Sequence, residues 1–269
     1  MKLLDRLRQL GFEFKKGLGQ NFILDETYLD GVVRDLGLST SDNVVEVGAG
    51  AGTFTRALSR VAGNVLVYEI DTRLEEILDE QFRELDNVKV VFQDGLRADI
   101  SEHITGEYKV TANVPYYITT PLLFKFAHDP NCRQINVLVQ EEVAKRIIAG
   151  PGSNDYGALS IGMQAWGDCK ITRRVPRSIF IPQPNVDSAF VQITRHTDRE
   201  LDWDGFGKML KGIFMSRRKT MLNAVSGLKL SKEVTAELLH KCGIDATLRP
   251  ENITVRQYID LFDQIRGLL

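Results

Sequence analysis

At 269 residues the chain exceeds the usual size of a single domain and has room for one large core with a smaller one beside it. Its 43% hydrophobic and 26% charged residues are those of an ordinary globular protein, no apolar run approaches the ~20 residues of a membrane span, and the N-terminal Met-Lys-Leu-Leu-Asp-Arg lacks a signal-peptide core. The net charge of −2 conceals an asymmetry, because residues 1–204 sum to −7 and residues 205–269 to +5, which assigns a basic surface to the C-terminal part. Cys132, Cys169 and Cys242 have no metal-ligand spacing and fit a reducing cytoplasm, and the four histidines adjoin no Cys or carboxylate cluster, so no metal site is expected.

Residues 2–15 read as helical or loose. They lead into Lys15-Lys16-Gly17-Leu18-Gly19-Gln20-Asn21-Phe22-Ile23, which taken alone reads as a flexible entry to the next helix. From Asp25 the spacing Leu29, Val32, Val33, Leu36 predicts an amphipathic helix that stops near Gly37. A regular alternation follows: strand 43–48, helix 53–61, strand 64–70, helix 72–85, strand 88–94, strand 108–114, helix 121–127, strand 134–140, helix 142–149. Alternation of this kind predicts a parallel sheet covered on both faces, an α/β fold. A helix at 158–166 and an antiparallel edge hairpin from strands 169–175 and 188–194 complete the first domain, 1–200. The charged stretch 196–204 marks the boundary, and 3.6-period apolar residues with a Thr254 to Gln257 capping box make 201–269 an all-helical domain.

The chemistry-bearing residues stand at strand exits, where open α/β sheets bind ligands. Val44–Val47 runs into Gly48-Ala49-Gly50-Ala51-Gly52-Thr53, a turn that lets the backbone approach a ligand; its third glycine falls one position short of the dinucleotide spacing, which argues against NAD or FAD. Glu69 ends the second strand, 21 residues after Gly48, where a carboxylate takes both hydroxyls of a ribose, and Asp94 ends the third, placed for an adenine amine; each has the alternative of capping a helix. The fourth strand ends in Asn113-Val114-Pro115-Tyr116, followed by Thr120-Pro121 in the manner of a helix N-cap and N1 pair. An aromatic amine is a poor nucleophile until its hydrogens are drawn off and its nitrogen held out of plane. The Asn113 oxygen and the carbonyl beside Pro115 supply two acceptors, and Tyr116 a face on which a base stacks. A Pro turn with two packed tyrosines is the equally weighted alternative for these four residues alone.

Together these features resemble the KsgA family of ribosomal RNA adenine dimethyltransferases. The matching stretches are 19–22, 46–48, 69–71, 113–121, 140–143, 180–188, 214–219 and 249–253, so the resemblance runs nearly end to end. It implies a Rossmann-like class I S-adenosylmethionine-dependent methyltransferase domain with a small C-terminal helical domain that binds RNA. Asn21, Ile23, Gly48, Gly50, Glu69, Asp94 and Asn113 would contact S-adenosylmethionine. Asn113, Pro115, Tyr116 and Phe180 would act on the target base, Phe180 stacking opposite Tyr116. The implied partner is small-subunit rRNA or a pre-30S-type particle, met by a cytoplasmic monomer, with Arg217, Arg218 and Lys219 as phosphate contacts and Arg173, Arg174 and Arg177 as further candidates. Ala49, Ala51, Gly95 and Val114 depart from the family's usual residues and bear on affinity more than on chemistry. Two alternatives are an Erm-type enzyme acting on large-subunit rRNA and a non-catalytic assembly factor on the same fold.

Overall fold

The computed structural model describes residues 3–15, 19–196, 201–215 and 218–267. Helix α1 (Leu3–Gln9), a two-residue strand β1 (Phe22–Ile23) and helix α2 (Glu26–Asp35) precede the alternation. Asp25 caps α2 by accepting the Tyr28 N–H at 2.9 Å, and Leu29, Val32 and Val33 are its buried stripe. Strands β2 (Asn43–Val47), β3 (Asn64–Glu69), β4 (Val88–Phe92), β5 (Tyr108–Ala112) and β6 (Cys132–Gln140) are joined through helices α3 (Thr53–Ser59), α4 (Glu75–Phe82) and α5 (Thr119–His128).

These five strands are parallel, in spatial order β4-β3-β2-β5-β6. Val45 of β2 lies between Leu66 of β3 and Val110 of β5, and the side chains of both faces are buried, as a sheet covered on two sides requires. Helices α2, α3 and α4 pack on one face against Val44, Val65 and Val67. Full burial of each such side chain stabilises by about 1.5–3 kcal/mol, so this layer fixes the height at which the strands end.

After α6 (Glu141–Ile148) and α7 (Ala158–Trp166) come strand β7 (Gly167–Val175), a short strand β8 (Phe180–Ile181) and strand β9 (Ser188–Arg195); β7 and β9 extend the sheet to seven strands, with β9 beside β6 and β7 at the edge. The β7–β9 pair is antiparallel: His196 N–H donates to Trp166 O, while Thr172 lies opposite Phe190, so one strand ascends as the other descends. β8 is not part of that sheet. It pairs antiparallel with β1, Phe22 against Ile181 and Ile23 against Phe180.

Two compact units emerge, Met1–Ala144 with Lys170–Gln192, and Lys145–Cys169 with Ile193–Leu269. The second has its own core, in which Ile161 and Ala165 of α7 pack with residues of α8 (Trp203–Phe214), α9 (Met221–Ser226), α10 (Lys232–Lys241) and α11 (Val255–Ile265). The expected boundary was a single cut at 200; the packing groups 145–169 with the C-terminal helices, because α7 offers them its apolar face. Thr254 and Gln257 form the expected capping box at α11.

One local expectation fails. Thr120 does not cap α5: a 3-10 turn over Tyr116–Ile118 leads directly into a helix beginning at Thr119, with Ile118 at the cap. Pro121 is accommodated two residues further in because N–H groups of the first helical turn have no intrahelical acceptor, so a residue without one loses nothing there.

Candidate active site

The exits of β2, β3, β4 and β5 surround a cavity of about 300 Å3. Its floor is the turn after β2, where Gly48, Gly50 and Gly52 adopt φ of 84°, 55° and 83°, left-handed values that L side chains rarely adopt. A Cβ on Gly50 would stand 2.9 Å from the Phe22 ring, so the absent side chain is what lets the segment after Gly19 lie over the turn.

Glu69 is 5% exposed and lines this cavity. Its carboxylate accepts the Gly50 N–H at 3.0 Å and the Asp71 N–H at 2.8 Å, tying the end of β3 to the glycine turn. Burial raises its pKa, and those backbone donors partly offset the rise by favouring the charged form. Asp94 also lines the cavity, and its Oδ1 accepts the Leu96 N–H at 2.9 Å; it closes a turn rather than capping a helix, and its carboxylate stays at the site.

At the exit of β5, Asn113 donates from Nδ2 to the Asn21 carbonyl at 3.3 Å, which commits the amide nitrogen and leaves Oδ1 as the acceptor. The Pro115 carbonyl closes the following turn on the Ile118 N–H at 3.0 Å; the Val114 carbonyl, also beside Pro115, is outside that turn. A second recess of about 280 Å3 is lined by Gly19, Asn21 and residues 113–117. Asn113 therefore belongs to both hollows, as do Asn21 and Pro115.

The structure thus brings Asn21, Ile23, Gly48, Gly50, Glu69, Asp94, Asn113 and Pro115 to one cavity. Tyr116 lines only the second recess, its hydroxyl 2.8 Å from Ser188 Oγ. Phe180 lines neither hollow. Paired with Ile23 and only 3% exposed within the core, its ring has no open face for a base. Arg218 and Lys219 are exposed between α8 and α9, while Arg217 lies outside the described residues. Arg173 is not a free cation: it pairs with Asp35 at 2.6 Å, donates to Gly31 O at 3.1 Å and stacks on Tyr28. Arg177 and Arg174 are both exposed, Arg177 donating to Asn185 O at 3.1 Å and Arg174 lying 4.0 Å from the Glu141 carboxylate.

Several residues at the site escaped sequence reasoning. Tyr117, 68% exposed, lines both hollows, and Ile70, 57% exposed, lines the larger; for Ile70 the available signal was an apolar residue directly after a functional strand-end residue. Glu46, fully buried in β2 and lining neither hollow, accepts from Thr55 Oγ1 at 2.6 Å, its other oxygen has no hydrogen-bond partner among the described residues, and burial pushes its pKa up to about 8. A glutamate flanked by valines in a strand with both faces covered was the hint.

The sequence profile for ribosomal RNA adenine dimethylase matches residues 11–266. The chain is 41% identical to ribosomal RNA small subunit methyltransferase A of Clostridioides difficile, over 94% of this chain and 91% of that one. It is 42% identical to the protein of the same name from Lactiplantibacillus plantarum, over 95% and 91%. Among solved structures, a dimethyladenosine transferase from Plasmodium falciparum superposes with a TM-score of 0.78 at 24% identity, covering 90% of this chain and 96% of that one. The 23S rRNA methyltransferase ErmE superposes with a TM-score of 0.71 at 23% identity, covering 91% and 100%. Those two likenesses establish the Rossmann-like methyltransferase fold, and the match over nearly the whole sequence establishes more: the chain belongs to the ribosomal RNA adenine dimethylase family.

Proposed function

We propose that the protein uses S-adenosylmethionine to dimethylate N6 of two adjacent adenines in the 3′-terminal hairpin of small-subunit ribosomal RNA, acting on the assembling particle as a cytoplasmic monomer. The observation that carries this reading is the convergence at the exit of β5, where Asn113 lines both a cavity bordered by Glu69 and Asp94 and a separate recess bordered by Tyr116. The curated relatives, named for the small subunit, favour it over an Erm-type target.

The residues fit the cofactor. The glycine turn allows close backbone approach, Glu69 presents a carboxylate suited to ribose hydroxyls, Asp94 one suited to the adenine amine, and Asn21 and Ile23 border the same space. When bound, S-adenosylmethionine supplies an electrophilic methyl on a sulfonium. On the other side, Asn113 Oδ1 and the Val114 carbonyl accept the two N–H groups of the target amine and hold its nitrogen out of the ring plane, which returns the lone pair to nitrogen. As the carbon–sulfur bond breaks to leave a neutral thioether, positive charge would grow on an amine already facing two fixed acceptors, and the N–H so acidified would give its proton to water, so no general base of matched pKa is needed. Positioning of this kind supplies about 7–11 kcal/mol of a barrier, against a few kcal/mol for unstacking the base. Tyr116, its hydroxyl held beside Ser188, offers a stacking face, and Phe180 joins it only if the β1–β8 pair uncovers its ring. Arg217, Arg218 and Lys219 contact phosphates.

Mapping methylated adenines in both ribosomal subunits from cells with and without the gene tests the reading. Loss of two adjacent dimethyladenines in small-subunit rRNA is expected; loss in the large subunit would point to the Erm-type target, and no loss in either, to a non-catalytic role.

A further inference from the structure

We propose that Gln20 is a positioning residue for Asn113, stapling the segment whose backbone carbonyl orients the amine-accepting amide; this rests on the methyl-transfer reading above. Both ends of the Gln20 side chain are engaged. Its Oε1 accepts the Lys15 N–H at 2.8 Å, and its Nε2 donates to Asp71 Oδ2 at 2.7 Å. Asp71 is itself anchored, its own N–H donating to Glu69 Oε1 at 2.8 Å and its carboxylate taking the Arg73 Nε at 2.8 Å, while Arg73 Nη1 reaches back to Glu13 O at 3.1 Å.

The next residue along is Asn21, whose carbonyl accepts Asn113 Nδ2. An asparagine amide is nearly symmetric in shape, and what decides whether oxygen or nitrogen faces a substrate is the partner of the other end. Here that partner is a main-chain carbonyl just before β1, held on its C-terminal side by the β1–β8 pair and by Thr53 Oγ1, which donates to Ile23 O at 2.6 Å, and on its N-terminal side by Gln20 and by Asn21 Nδ2, which donates to Gly19 O at 3.0 Å. Gly19 permits the approach: at φ +54° it lies so close to Pro115 that a Cβ would stand 2.5 Å from the proline ring. Releasing the Gln20 end leaves the N-terminal side of the Asn21 carbonyl held only by the local Asn21 to Gly19 bond, no longer tied to Asp71, and lets the Asn113 amide rotate its nitrogen toward the target, where an N–H would meet an N–H.

The test uses the full chain with Gln20→Leu, which keeps the volume and loses both bonds, and Gln20→Glu, which keeps the acceptor but sets a carboxylate against Asp71; the second stands in if the first does not fold. The Asn113 side-chain amide protons, assigned by their loss in Asn113→Ala, are followed by NMR, and methyl transfer to undermethylated small subunits is measured in single turnover with saturating cofactor. The staple predicts that both Gln20 variants shift the Asn113 amide resonances and speed their exchange with solvent. It predicts a rate loss of about tenfold at saturating cofactor in the wild-type background and no further loss in Asn113→Ala. Unmoved Asn113 resonances, or the same rate loss in both backgrounds, would overturn the proposal. Should the wild-type chain transfer no methyl to small subunits, the functional reading fails, and the resonances still decide whether Gln20 orients Asn113.

Discussion

Replacing Asn113 by alanine separates catalysis from folding. Among the described residues the Asn113 side chain makes one hydrogen bond, to the Asn21 carbonyl at 3.3 Å. Losing one neutral bond of that kind costs about 1 kcal/mol of stability, a fall of roughly 2–4 °C in melting temperature for a chain of this size. In the proposed reaction the same side chain would supply one of two acceptors facing a growing positive charge, and removal of such a preorganised contact typically costs about 2.7–4 kcal/mol, or 10²–10³ in rate. Asn113→Asp sharpens the test. The carboxylate retains acceptors but loses the donor that Asn21 requires, setting an oxygen against a carbonyl oxygen, so Asp is expected to be impaired nearly as much as Ala despite its shape. The assay is single-turnover methyl incorporation into undermethylated small subunits with saturating S-adenosylmethionine, alongside thermal melts. Near-normal incorporation by Asn113→Ala would make the β5 exit a structural turn, and near-normal incorporation by Asn113→Asp would refute the orienting role of the Asn21 carbonyl.

Glu69→Ala is expected to weaken S-adenosylmethionine binding at least tenfold by calorimetry, and to lower the melting temperature by a few degrees because the Gly50 and Asp71 N–H groups lose their acceptor; unchanged affinity would remove Glu69 from the cofactor site. Glu46 sets a pH dependence: with a folded pKa of about 8 against an ordinary 4.5, the native state holds a proton the unfolded chain has released, so its contribution is fully present below about pH 4.5 and is lost as pH rises toward 8, with a slope of up to about 1.4 kcal/mol per pH unit. Glu46→Gln should flatten that slope in denaturant titrations between pH 5 and 8, and an identical slope in the variant would show that the carboxyl is ionised in the fold. Replacing Arg217, Arg218 and Lys219 together by Ala should weaken RNA binding and reduce the salt dependence by about one unit of slope per lost phosphate contact; an unaltered slope would place the phosphate contacts elsewhere.

Much of this molecule is written locally. Strand–helix alternation specifies a parallel sheet because each apolar run must be covered on two faces, and it places Gly48, Glu69, Asp94 and Asn113 at successive strand exits before any coordinate is known. The α2 and α11 caps are likewise short-range facts of sequence. What tertiary structure alone decided are contacts with no periodic signature. The β1–β8 pair joins residues about 158 positions apart through two residues each, too few for an alternation to be legible, and it both folds Gly19–Ile23 over the glycine turn and covers Phe180. The Gln20 staple spans 51 residues to Asp71, and the Asn113 to Asn21 bond spans 92, so neither partner announces the other. Thr120-Pro121 looked like a helix start because a proline is tolerated throughout the first turn, and only the preceding 3-10 turn shows where the helix begins. Residues 145–169 read as a continuation of the first domain because their apolar face has the same period whichever core receives it; a hydrophobic stripe specifies that it be buried, and the fold of the whole chain decides against what.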